Sequence, residues 1–145
     1  AWAINKPIHY NSKLYEGYMA GGTNALLDGY RGGLTYLDGR WQGYLDDLDC
    51  VIDMEEETDI HKVSIRFMQL IGPGVFQPGQ VELLTSEDGE NFISRGIVPT
   101  TVPADDPDLL FQEYTFDGNW KTRYIRLKAP RANPGFIFAD EIVVW

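Results

Sequence analysis

A β-sandwich or jelly roll is the fold class this sequence predicts. Three observations predict it. Short runs of alternating apolar and polar residues recur along the chain. Glycine, proline and Asp-Gly turn signals separate them. No stretch carries a helix-period apolar stripe of useful length. Runs of this length and spacing indicate an all-β sandwich.

Segment 17–47 comes first and is the exception. It is rich in glycine (Gly17, Gly21, Gly22, Gly29, Gly32, Gly33 and Gly43 among them) and poor in strand formers. A loop that long without regular structure is usually functional or braced by a metal. The first strand is Leu48 to Asp53, where Leu48, Cys50 and Ile52 alternate with polar neighbours. Val63 to Phe67 alternates in the same way, and Val81 to Thr85 is the third run. Ser86 to Asn91 is then a turn centred on Asp88-Gly89. Phe92-Ile93 and Gly96 to Val98 continue the meander, followed by strands over Phe111–Phe116 and Arg123–Lys128. Between these two, Asp117-Gly118-Asn119 reads as a turn with Trp120 packed beneath it. The last strand is Phe138 to Trp145.

A chain of 145 residues fits one domain, 1–145, and is long enough to bury a core. Hydrophobic residues make up 43% and charged residues 23%, which excludes a disordered chain. No apolar run approaches the roughly 20 residues that span a bilayer, so membrane insertion is not expected. Twelve basic against 22 acidic residues give a net charge of -10. Such a surface repels phosphate backbones, so neither nucleic acid nor anionic lipid is expected as a partner. The runs Asp46-Asp47, Glu55-Glu56-Glu57 and Asp105-Asp106 read as solvated loop charge. Cys50 is the one cysteine, so no internal disulfide forms, and its place on an apolar strand phase predicts an inert buried thiol. The chain opens Ala1-Trp2-Ala3 without a start methionine, and is expected to be a piece of a longer protein.

Several segments in order resemble the discoidin family, also called coagulation factor V/VIII type C, with its family 32 carbohydrate-binding modules. They are Asn24-Ala25-x-x-Asp28-Gly29, Trp41, Val51-Ile52-Asp53-Met54, and Ile60-x-x-Val63-x-Ile65. Val81-Glu82-x-x-x-Ser86-x-Asp88-Gly89, Arg123 to Leu127 and Asp140 to Val144 complete the set. A narrower resemblance runs through Asp28 to Gly32, Asp38 to Gly43 and Phe138 to Ile142. These look like the C-terminal module of bacterial β-N-acetylhexosaminidases, the chitobiases. The resemblance implies a discoidin-like, galactose-binding-like jelly-roll β-sandwich. It implies a non-catalytic module excised from an extracytoplasmic bacterial glycoside hydrolase, in the periplasm or at the cell surface. The module would hold its catalytic domain near glycans containing N-acetylhexosamine or galactose. The alternative is a docking module that packs on its own catalytic domain and has no sugar site. Nothing demands more than a monomer.

The resemblance also implies one structural calcium ion where the Asp28 and Glu141 carboxylates meet. Calcium takes six to eight oxygens. Asp28 lies in a glycine-rich loop beside the carbonyls of Ala25 and Tyr30, and Glu141 would close the shell from the last strand. The bland reading is a common Asp-Gly turn and a solvent-facing Glu141. Thirteen positions separate Asp28 from Trp41, so further loop ligands are not carried over.

Sugar sites pair an aromatic platform with planar hydrogen-bonding side chains, on loops at one end of a sandwich. The candidates are Trp41 and Gln42, then Phe76 in the loop from Leu70 to Pro78, and Arg131, Asn133 and Phe136. Trp41 reads first as a core tryptophan, and Phe76 divides evenly between core plug and platform. The galactose-binding members use a His, an Arg and an Asn near the rim, a set this chain does not reproduce. Two histidines and scattered serines give no nucleophile–base pairing. Carboxylates alone do not separate a glycosidase pair from solvated charge, but a small sandwich without a deep cleft is a poor host for one. An enzyme is not expected.

Overall fold

The structure is a computed structural model. It describes residues 6–10, 42–44, 47–71, 74–103, 105–106, 108–130 and 137–145, with the backbone alone at positions 10, 42–44 and 140. The described strands are β1 (Ile8–Tyr10), β2 (Gln42–Tyr44), β3 (Leu48–Gln69), β4 (Gln80–Ser86), β5 (Ile93–Pro99), β6 (Leu110–Ala129) and β7 (Ile137–Val144). All pairings are antiparallel, in the order β2-β7-β3-β6-β4-β5, with β1 added to β3.

The long strands β3 and β6 pair from Leu48↔Ala129 to Gln69↔Leu110. Their first half, Leu48 to Asp53 against Tyr124 to Ala129, carries β1 on one side and β4–β5 on the other. The second half, Val63 to Gln69 against Leu110 to Asp117, carries β7 and β2. Inward side chains of both halves, including Cys50, Ile52, Ile65, Phe67, Tyr114 and Leu127, form one buried cluster. The ribbon therefore bends over itself, and its halves become the two layers of a sandwich. Each fully buried aliphatic or aromatic side chain contributes roughly 1.5–3 kcal/mol.

The bend is built from register irregularities. Met54 to Glu57 stand opposite Arg123 alone, and His61 faces both Gly118 and Asn119. Bulges of this kind bend and twist a strand. Glu55 takes a positive φ of 71°, which costs free energy for a non-glycine residue. Asp53 offsets that cost. Its Oδ1 accepts the Glu55 N–H at 2.7 Å and the Arg123 Nε at 2.9 Å, and its Oδ2 accepts Arg123 Nη2 at 3.1 Å. Gly118 lies against Trp120, and a Cβ there would fall 2.3 Å from ring carbon Cζ2.

The expected strands are present, with four corrections. The two segments expected at 48–53 and 63–67 are one strand, as are those at 111–116 and 123–128. Asp117-Gly118-Asn119 is thus a bulge within β6, not a chain-reversing turn, although Trp120 does pack on it. Glu55-Glu56-Glu57 is strand rather than loop, its side chains exposed and touched by Lys6 (3.2 Å) and Lys121 (3.6 Å). Strands β1 and β2 were not expected, and β2 falls inside the supposedly irregular 17–47 segment. The Ser86–Asn91 turn is as expected. The Asp88 carboxylate accepts Ser86 Oγ–H and the Glu90 and Asn91 N–H groups at 2.9 Å each, and Asn91 Nδ2 at 2.8 Å. Gly89 supplies the positive φ of 78°. Cys50 is fully buried, and burial pushes its thiol up to about 12.

Two tests follow from the bend and the turn. Gly118→Ala should cost about 1–3 kcal/mol in urea unfolding, because the indole must leave its seat; an unchanged midpoint would remove Gly118 from this role. The second concerns acid. Asp53 is held below the usual carboxylate range, first by the Arg123 hydrogen bond, and Asp88 first by the Asn91 and Glu90 N–H groups. A carboxyl depressed in the folded state stabilises the fold above its unfolded value, about 4, and loses that contribution as pH falls through the folded value. The melting temperature should therefore hold at neutral pH, then drop as pH falls below about 4. Asp53→Asn should flatten part of that drop.

Candidate functional site

The loop 70–79 joins β3 to β4 and holds Phe76, which is half-buried. A bridge between Leu70 and Val75 closes its base, with N–H···O bonds of 2.9 and 3.1 Å. Beneath it Val75 packs with Met68 and Phe138 in a second small core, flanked by Leu70, Leu109 and Phe111. Gly79 N–H donates to the Pro130 carbonyl at 2.9 Å. Pro130 leads directly into 131–136. The Phe76 loop and Pro130, the last described residue after β6, are thus at one end of the sandwich. The stretch after β5 joins them there, since Thr100 N–H reaches the Gly79 carbonyl at 3.4 Å.

Buried polar side chains tie this rim to the strands. Gln77, 2% exposed, donates Nε2–H to the Phe67 carbonyl at 3.0 Å and accepts the Tyr114 hydroxyl at 3.0 Å. Its backbone N–H reaches Gln69 Oε1 at 3.4 Å, and Gln69 Nε2 donates to the Pro103 carbonyl at 2.7 Å. The Thr100 hydroxyl donates to the Pro78 carbonyl and lies 2.7 Å from the Tyr114 hydroxyl. Gln69, Gln77 and Tyr114 are buried, so their bonds oppose a desolvation cost, while Thr100 is half-buried. Burial pushes the Tyr114 phenol up to about 12, with the Thr100 hydrogen bond acting the other way, so it stays a neutral donor. The result is a loop whose backbone is held before any ligand arrives.

Phe76 is therefore a described candidate at this rim. Gln42 lies on β2, where its backbone pairs with Ala139. Trp41, Arg131, Asn133 and Phe136 lie outside the described residues, as does the side chain of Gln42. Of the calcium set, Asp28, Ala25 and Tyr30 also lie outside them. Glu141 is described and is 4% exposed, which corrects the bland reading of it as solvent-facing. Asp140 and Glu141 together stand opposite Arg66, between the rungs Ile65↔Ile142 and Phe67↔Ala139. This bulge re-aims the side chain out of strand alternation. Among the described residues no group of three or more acidic, His or Cys side chains converges as a metal shell. The bracing residues Gln69, Gln77, Thr100 and Tyr114 were not singled out from sequence. The signal that marks them is a glutamine on an apolar strand end and another beside Phe76.

No family model matches the chain, and no curated protein sequence matches it. Solved structures do. A chitosan-binding module of a chitosanase/glucanase from Paenibacillus sp. IK-5 superposes with a TM-score of 0.67 at 13% identity, over 99% of this chain and 97% of that one. A fucose-binding module from Streptococcus pneumoniae gives 0.68 at 16% identity, over 99% and 93%. A CBM32 module from Clostridium perfringens, in complex with GalNAc-β-1,3-galactose, gives 0.66 at 18% identity, over 97% and 95%. At such identities the likeness is one of fold. The chain has the β-sandwich fold of family 32, discoidin-like carbohydrate-binding modules.

Gln77→Ala should cost about 1–3 kcal/mol, because it removes the buried acceptor of the Tyr114 hydroxyl and the side-chain donor to the Phe67 carbonyl. Urea unfolding measures the cost, and faster amide exchange at residues 74–79 would show that the rim loosens with it.

Proposed function

We propose that this chain is a non-catalytic carbohydrate-binding module. It binds glycans containing N-acetylhexosamine or galactose through the rim around Phe76, and targets an attached glycoside hydrolase to them. The observation that carries the reading is the bracing of that rim. Buried glutamines and a buried tyrosine hold a half-buried aromatic loop at the end of the sandwich where Gly79 meets Pro130. A pre-set platform beside planar polar groups is what a pyranose requires. The fold supports it, since modules of like fold bind chitosan, fucose and GalNAc-β-1,3-galactose. A parent enzyme of the chitobiase or hexosaminidase kind, bacterial and extracytoplasmic, extends the same reading from the sequence resemblance. A monomer suffices for it.

Calcium belongs to this proposal. A buried carboxylate needs a compensating charge or donors. Glu141, turned inward at a bulge, fits the role of one oxygen ligand, with Asp28 and the carbonyls of Ala25 and Tyr30 as the others. The ion would be structural, stabilising only the folded state.

The docking alternative needs a broad apolar face. Among the described residues the exposed large hydrophobics are Ile93, Ile97 and Trp145. Register places Ile93 opposite Thr85 and Ile97 opposite Glu82, on opposite faces of the sheet.

Titration of the amide NMR spectrum with N-acetylglucosamine, galactose and chitotriose tests the sugar reading. Saturable shifts at residues 74–79 and 131–136 are expected, and Phe76→Ala should weaken binding about tenfold. Silence with every sugar would move the function to docking. In parallel, calcium should raise the melting temperature over EDTA, and Glu141→Gln should abolish that rise.

A further inference from the structure

We propose a second ligand site, at the end of the sandwich away from the Phe76 rim, that takes the carboxylate of an acidic sugar residue. It stands on its own geometry and not on the rim. A cleft of about 330 Å³ opens beside the Ser86–Asn91 turn. Strand β4 connects the two places, so its seven residues separate them by about 20 Å. Thr85, Ser86 and Thr122 line the cleft and are buried, while Arg95, Lys121 and Ile93 line it from more exposed positions.

Arg95 carries the argument. The β4–β5 register skips it, passing from Leu84↔Ser94 to Leu83↔Gly96. Gly96 takes the φ of 145° that this bulge requires. The bulge turns Arg95 toward Thr85, whose Oγ1 accepts its Nε–H at 2.8 Å. That bond fixes the guanidinium plane by one edge and leaves the two terminal nitrogens to present a fork. Such a fork matches a carboxylate bidentately. Other arginines of the structure are used differently. Arg123 is held by Asp53 and Arg126 by Asp49, each through two hydrogen bonds, and Arg66 lies 5.0 Å over the Phe111 ring. In a chain of net charge -10, carboxylates are abundant, yet among the described residues Arg95 donates its hydrogen bond to a neutral hydroxyl.

The cleft's own charges leave that fork available. Asp88 lines it, but four donors already occupy the Asp88 oxygens. Glu87 is the other lining carboxylate, and Lys121 is a second lining cation. Lys121 meets Glu57 at 3.6 Å across open solvent, a weak pair that a ligand displaces at little cost. Ile93, 60% exposed, gives an apolar wall for the C–H face of a pyranose, which a bare inorganic anion would not use.

Trigalacturonate is the probe, titrated at low ionic strength into the whole chain while the arginine Nε–H and backbone amide signals are followed. Saturable shifts at Arg95 Nε–H, Thr85 and Ile93 are expected. Arg95→Gln should weaken binding at least about tenfold, and Arg95→Lys should recover only part, since it keeps the charge and loses the fork. Phe76→Ala should leave this affinity unchanged. An unaltered melting temperature in the Arg95 variants shows that the fold is intact. Absence of shifts, shifts confined to residues 74–79, or full binding by Arg95→Gln would each overturn the site. Sodium sulfate giving the same shifts at the same concentration would overturn the sugar assignment.

Discussion

The pairing of β3 with β6 sets the frame from which both layers are built. Two strands of 22 and 20 residues form one continuous antiparallel ribbon. A flat ribbon of that length would bury neither face. The irregularities at Asp53–Thr58 and Ile60–Lys62 bend it, so that Cys50 and Ile52 share a core with Ile65 and Phe67. Once bent, each half offers edges on which further strands dock. β1, β4 and β5 extend one layer, and β7 and β2 extend the other. The bend costs free energy at Glu55, where φ is positive, and the Asp53–Arg123 pair offsets it. The bend is thus secured by a bidentate ion pair.

The two ends of the sandwich are held by different chemistry. At the bend and the Ser86–Asn91 turn the bracing is ionic, through Asp53 and Asp88. At the Phe76 rim it is neutral, through amides, hydroxyls and backbone carbonyls. Ionic bracing answers to pH, because protonation removes the acceptor. Neutral bracing does not, and burial places the Tyr114 phenol at about 12, far from any working pH. A rim held this way keeps its shape in acid for as long as the fold survives. It also limits the entropy that loop 70–79 can lose when a ligand arrives.

Much of the architecture was legible because period-two alternation survives burial. Leu48, Cys50 and Ile52 point inward as their spacing requires, and so do Val81 and Leu83. Alternation fails where a strand bends. From Met54 to Lys62 the bulges break the phase, and the glutamate run there resembles loop charge though it lies on a strand. Asp117-Gly118-Asn119 has turn composition within a strand because Trp120 packs where a Cβ at Gly118 would stand. For the site, the sequence marked Phe76 by its glycine and proline surroundings, and Glu141 by resemblance. It did not mark Gln69, Gln77 or Tyr114, which meet only when β3, β6 and the intervening loops are assembled. Arg95 was equally invisible, since its significance lies in a skipped rung of the β4–β5 ladder.

Net charge and local charge act differently at the two ends. A field from -10 charges disfavours the approach of any anion, while a neutral sugar does not feel it. At physiological ionic strength that field decays over about 8 Å, so beyond contact range the global repulsion is largely screened. Within contact range a bound anion meets the Arg95 fork and Lys121, while four donors already occupy the Asp88 oxygens. Added salt therefore has two opposed effects there, relieving the long-range repulsion and weakening the contact itself. The contact is the shorter-ranged and stronger of the two, so the net effect of salt is to weaken. At the Phe76 rim the recognition groups are an aromatic ring and neutral amides, and salt has no comparable hold on them. The chain's acidity thus limits which anions reach the cleft without dictating what the rim binds.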